Sequence, residues 1–151
     1  MKTLFTANEN QEIINRINKL TPESKALWGK MTVAQMLAHA RMPLLAAYGQ
    51  EKMSKRGLIS LLFGKMAKKQ LVTQNKPFSK NLPTDKKFII INPEKFEKEK
   101  QNLISTVMLF TKNGTNKITK EPHGFFGSLT PQEWGTLQYK HLDHHFSQFG
   151  V

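Results

Sequence analysis

Apolar positions in this chain recur mainly at intervals of three and four residues, the period of a helix buried on one face. Ile13, Ile14, Ile17 and Leu20 form such a stripe, with Glu9, Glu12 and Lys19 off it, and predict a first helix from Asn8 to Leu20. Thr21-Pro22-Glu23-Ser24 reads as a cap followed by proline at a first helical position, which predicts a short further turn of helix. Trp28, in the connector, is expected to cover one end of the core. Thr32 and Gln35 form a capping box, in which each side chain satisfies a backbone donor that the helix start leaves open. Val33, Met36, Leu37, Ala40, Leu44 and Leu45 carry that second helix to Gly49. Pro43 has no N–H for the carbonyl of His39, so the helix is expected to bend there.

The long connection from Gly49 to Asn92 holds a basic amphipathic stretch, Leu58-Ile59-Ser60-Leu61-Leu62-Phe63 with Met66 and the lysines after it. It reads as an accessory helix closing one end of the fold, with a helix for a membrane surface or a partner as the alternative. Thr73 to Lys87 reads as an irregular loop, and Phe88-Ile89-Ile90-Ile91 could be a short strand without a strand to pair with. Asn92-Pro93-Glu94 predicts the start of a third long helix that runs to Asn113-Gly114. Thr130-Pro131-Gln132-Glu133 opens the last one, with Trp134, Leu137, Gln138, His141, His145 and Gln148 along one face.

Four long helices within 151 residues predict an all-α fold in one domain spanning 1–151. Short links make helices one and two antiparallel, and likewise three and four. The long crossover connection between helices two and three then gives an up-down-down-up four-helix bundle.

The formal charge of +12 raises the question of an anionic partner. Ten Lys/Arg between Lys52 and Lys87 face only Asp85, yet no recognition-helix or zinc-finger spacing accompanies them. A solvated lysine surface is the simpler reading. Its rival is a non-catalytic domain that binds nucleic acid or an acidic partner through residues 52–87. No stretch is long and apolar enough for a membrane span, and the N-terminus has no apolar signal region. Cysteine is absent, in keeping with a cytoplasmic protein, and leaves only nitrogen and oxygen ligands for a metal.

Three of the five histidines fall in one turn of the last helix, His141-Leu142-Asp143-His144-His145. His141 and His145, four apart, share a helix face and can bind one divalent ion. In bundles such ligands project inward from facing helices, which makes His39 the third candidate. Three imidazoles suit zinc or nickel foremost, and also cobalt or iron, and leave the ion a strong Lewis acid. Leu142 stands where a zinc peptidase motif would place its glutamate, which argues against that class. His144, about 60° around the helix from His145, could support the site from outside or face solvent. Gln148, one turn beyond His145, could orient a ligand histidine, and His123 reads as a packing or capping residue before a supporting one. No catalytic base is legible.

Thr32-Val-Ala-Gln-Met-Leu-Ala-His39 resembles the second-helix motif of the DinB/YfiT-like metalloenzyme superfamily. His141-Leu-Asp-His-His145-Phe-Ser-Gln148 is similar to its final motif, HxxHHxxQ. The stretch Pro122-His-Gly-Phe-Phe-Gly-Ser-Leu-Thr-Pro-Gln-Glu-Trp134 resembles an uncharacterised, domain-of-unknown-function branch of it. The resemblance implies an up-down-down-up bundle with a divalent metal on His39, His141 and His145. It further implies a small-molecule substrate such as a low-molecular-weight thiol, transferase or hydrolase chemistry, and a homodimer.

Overall fold

A computed structural model describes residues 1–55 and 57–151, so Arg56 in the basic connection lies outside the described residues. The fold is all-helical: α1 (Ala7–Lys19), α2 (Val33–Ala47), α3 (Leu58–Lys68), α4 (Phe96–Asn113) and α5 (Pro131–Gln148). Among the described residues no strand forms; the one β-bridge joins His123 to Gly127.

α1, α2, α4 and α5 bury their apolar faces in a common core, with Ile13 and Ile17 from α1, Met36 and Leu44 from α2, Leu103 and Phe110 from α4, and Leu142 and Phe146 from α5. α2 packs on α4 and α5 on α1, α1 and α4 meet, and α2 and α5 meet one another, and that last contact places the histidines. A polar bolt ties the N-terminal segment to this core: the buried Asn10 amide donates to the carbonyls of Leu4 (3.0 Å) and Val107 (2.8 Å). Both expected capping boxes form, Thr32 with Gln35 and Thr130 with Glu133. α2 continues through the buried Pro43, which leaves the carbonyl of His39 without its helical donor.

Four local expectations are corrected. Thr21-Pro22 does not open a helix. The Ser24 hydroxyl accepts from Thr21 N–H while Ser24 N–H returns to the Thr21 carbonyl, and this closes a single turn. α4 begins at Phe96, later than Asn92-Pro93 promised, because the buried Glu99 carboxylate reaches back to accept from Glu94 N–H at 3.0 Å. Residues 88–91 make no strand: a 3-10 turn, Lys86–Phe88, ends in carbonyls taken by side chains of α2.

The fourth concerns α3, which does not close the core with its apolar face. Its buried residues are Ser60 and Gly64, while Leu58, Ile59, Leu61, Leu62, Phe63 and Met66 are all exposed. Beyond it the backbone widens into a π-helical turn, Lys69–Thr73, whose Leu71 and Val72 pack with Phe126 and Leu137 and against Phe78.

Candidate metal centre

His39 lies midway along α2, buried, with Nδ1 2.9 Å from the carbonyl oxygen of Phe88. A carbonyl only accepts, so Nδ1 carries the proton and Nε2 presents a lone pair. The Phe88 carbonyl is available because the 3-10 turn before it is fixed at Asp85. That carboxylate accepts from Lys87 N–H and from both the N–H and the hydroxyl of Ser54.

His145 is oriented by the same logic through a side chain. Its Nδ1 stands 2.9 Å from Gln148 Oε1, and the amide of Gln148 has no freedom to flip, because its Nε2 donates to the Trp28 carbonyl at 2.7 Å. Nδ1 of His145 is therefore the donor and Nε2 the lone pair. Gly29 makes room for this clamp. A Cβ there would stand 2.5 Å from Gln148 Nε2, and its φ of +83° is one that other residues rarely adopt.

His141 completes the group. Its Nε2 lies 3.1 Å from His145 Nε2, and its buried Nδ1 has no partner among the described residues. The three rings stand 4.6 to 5.3 Å apart between centroids, and one nitrogen from each lies within 4.8 Å of the other two. Two nitrogens on one tetrahedral zinc are separated by roughly 3.3 Å, close to the spacing of the α5 pair.

The electrostatics favour the same occupant. Burial pushes all three imidazoles below their ordinary range, His145 to about 3, and in His141 the charges of its histidine neighbours add to the effect of burial. The neutral ring is the metal-ligating form, so these residues are ready for a cation at neutral pH. Without one, His141 Nε2–H donates to the lone pair of His145 Nε2. A cation takes the lone pairs of His39, His141 and His145 together, and the three-histidine cluster can hold it.

The remaining candidates divide. Gln148 touches the site directly, as the His145 clamp. His144 stays outside the trio and lines its approach, with its ring 5.9 Å from both Trp28 and Phe78. His123 does not reach the trio; its Nδ1 accepts from the backbone N–H groups of Phe125 and Phe126, and its ring packs on Phe126 and Trp134. Burial lowers His123 to about 4, so it holds the 123–127 turn as a neutral ring. Asp143 is exposed, paired with Arg16 at 2.6 Å, and stands beside His144 at the edge of the same cleft.

A cleft of about 180 Å³ lies next to the trio at His144, lined by Trp28, Phe78, Lys80, Lys140, Asp143 and Ser147 among others. Lys80 Nζ lies over the Trp28 ring at 4.3 Å, and Phe78 faces both His141 and His144. Trp28 is thus a wall of this approach more than a cover for the core. Phe78, Lys80 and the Phe88 carbonyl were not expected here. Phe78 and Lys80 sit in a loop without periodicity, and a backbone acceptor leaves no mark in a sequence.

The chain belongs to the family described as "Protein of unknown function (DUF1569)", whose model matches residues 2–150. No curated protein and no solved structure matched it.

Proposed function

We propose that this member of an uncharacterised family is a divalent-metal enzyme that activates a water or a small thiol for hydrolysis or group transfer. His39, His141 and His145 are its metal ligands, with zinc or nickel the ions that best suit three neutral imidazoles. One arrangement carries the reading. The Phe88 carbonyl and the Gln148 amide each take the Nδ1 proton of a histidine, which leaves Nε2 of His39 and His145 as lone pairs, and one nitrogen of each of the three rings lies within 4.8 Å of the others. Outer hydrogen bonds of this kind are how proteins aim metal ligands.

A divalent ion bound there supplies Lewis-acid activation of the nucleophile. The protein's own residues do the rest. The Trp28 and Phe78 rings form an apolar approach, and Lys80 and Lys140 give it a positive edge that draws in a substrate bearing a negative group. His144, half-buried between Trp28, Phe78 and His145, is placed to pass a proton between the cleft and solvent. Resemblance of the two histidine motifs to the DinB/YfiT-like superfamily supports the same reading, with α1, α2, α4 and α5 as its up-down-down-up bundle.

Metal content tests it. Tag-free protein should carry about one zinc or nickel per chain by elemental mass spectrometry. His145→Ala should lose that metal and keep its helical circular dichroism. Protein that takes up no divalent ion after incubation with zinc and nickel refutes the proposal.

A further inference from the structure

We propose that α3 seats the protein on an anionic lipid surface. The helix is inside out for a part of a water-facing protein. At about 100° per residue, Leu58, Ile59, Leu61, Leu62, Phe63 and Met66 occupy an arc of roughly 200°. Every one of the six is exposed, from 49% at Phe63 to 73% at Leu58. The opposite side holds the small residues Ser60 and Gly64, and these face the protein. The Ser60 hydroxyl lies 2.7 Å from the carbonyl oxygen of Phe125, to which it donates. At the end of the helix Lys68 anchors on Glu133 and on the Ser128 carbonyl. The helix is therefore fixed through its polar side, and its apolar side is presented outward.

Charge selects what covers that face. Lys65 falls within that arc, between Leu61 and Leu58, Lys69 follows in the next turn, Lys52 and Lys55 are exposed in the segment just before the helix, and no Asp or Glu occurs between Glu51 and Asp85. Asp85 is itself committed to Ser54. A second copy of the chain would bring two such basic rims together, at a like-charge cost that opposes association. A nucleic acid would satisfy the lysines and leave the aliphatic arc in water. A bilayer with acidic headgroups accommodates both: the apolar arc enters the acyl boundary and the lysines stay at headgroup level, their stems along the apolar surface. With 11 residues, α3 is about 16 Å long, half the hydrocarbon thickness, so it lies along the surface. No helix among the described residues is long and apolar enough to cross a membrane.

Flotation with lipid vesicles decides the matter. Full-length protein should float with vesicles of phosphatidylglycerol and phosphatidylcholine in equal parts, should bind much less to phosphatidylcholine alone, and should be released as salt is raised. Combining L61S, L62S and F63S removes three side chains that already face solvent, so the helical signal and thermal midpoint should hold. Binding to the mixed vesicles should nevertheless fall at least about tenfold. The combination of K65E and K69E should weaken binding to anionic vesicles only. Wild-type protein that stays out of the floating fraction overturns the proposal, as does a triple-serine variant that binds as well as wild type. So would sedimentation velocity that finds a stable dimer dissolved by the same three substitutions, which would assign the face to a second copy.

Discussion

Gln148 offers the most direct test of how the site is held. The residue is 4% exposed and makes two hydrogen bonds, from His145 Nδ1–H to its oxygen and from its nitrogen to the Trp28 carbonyl. Gln148→Leu keeps the volume and removes both, leaving a buried ring N–H and a carbonyl unpaired. Each such group costs about 1–3 kcal/mol, so the metal-free variant should lose about 2–4 kcal/mol in urea unfolding. The larger signature lies in the metal. A freed His145 ring no longer holds Nε2 toward His141, and loss of an outer-sphere partner of this kind weakens metal binding by roughly 10–100-fold. Competition with a chromogenic zinc chelator reads that directly. Gln148→Glu separates the two roles. Its carboxylate still accepts from Nδ1–H but cannot donate to Trp28, so zinc affinity should stay near wild type while stability falls. A folded Gln148→Leu that binds zinc as tightly as wild type would show that the clamp does not orient a ligand.

Two further expectations concern the buried polar groups. His123, His141, His145 and His39 stay neutral in the folded chain but take protons in the unfolded chain below pH 6.5, so the unfolded state binds more protons and stability falls with pH. For His123 this window runs from 6.5 down to about 4, at about 1.4 kcal/mol per pH unit. Urea midpoints of metal-free protein should therefore drop steeply between pH ~7 and ~5, and a flat profile would contradict neutral burial. The Gln138 amide is 1% exposed, with no hydrogen-bond partner for either its oxygen or its nitrogen. Gln138→Leu should accordingly raise stability by about 1–2 kcal/mol, and a loss would mean that the amide is bridged by internal water.

Much of the candidate metal centre was legible because it is local. The i,i+4 spacing of His141 and His145 and the capping box that sets the register of α5 are properties of one helix, and they survive any tertiary arrangement. His39 was legible one step further, since only helix pairing can bring it to α5. What lay beyond reach was tertiary in another sense. The Phe88 carbonyl that aims His39 is backbone. The late start of α4 depends on Glu99 folding back over a sound capping sequence. For α3, periodicity identified an apolar face but said nothing of its direction. Such a pattern describes a surface to be covered, and the small residues Ser60 and Gly64 are the ones that meet the protein.

The clamp on His145 also gives the molecule an optical gauge. Of its two tryptophans, Trp134 is sealed in the core, whereas Trp28 is half-buried between the Lys80 ammonium and the edge of His144. Indole emission responds to nearby charge, and the backbone of Trp28 is joined through one glutamine side chain to His145 Nδ1. A cation bound by the histidines would act on His145 at one end of that chain, so Trp28 emission is expected to change when zinc is added to the native protein. Occupancy could then be followed without a dye.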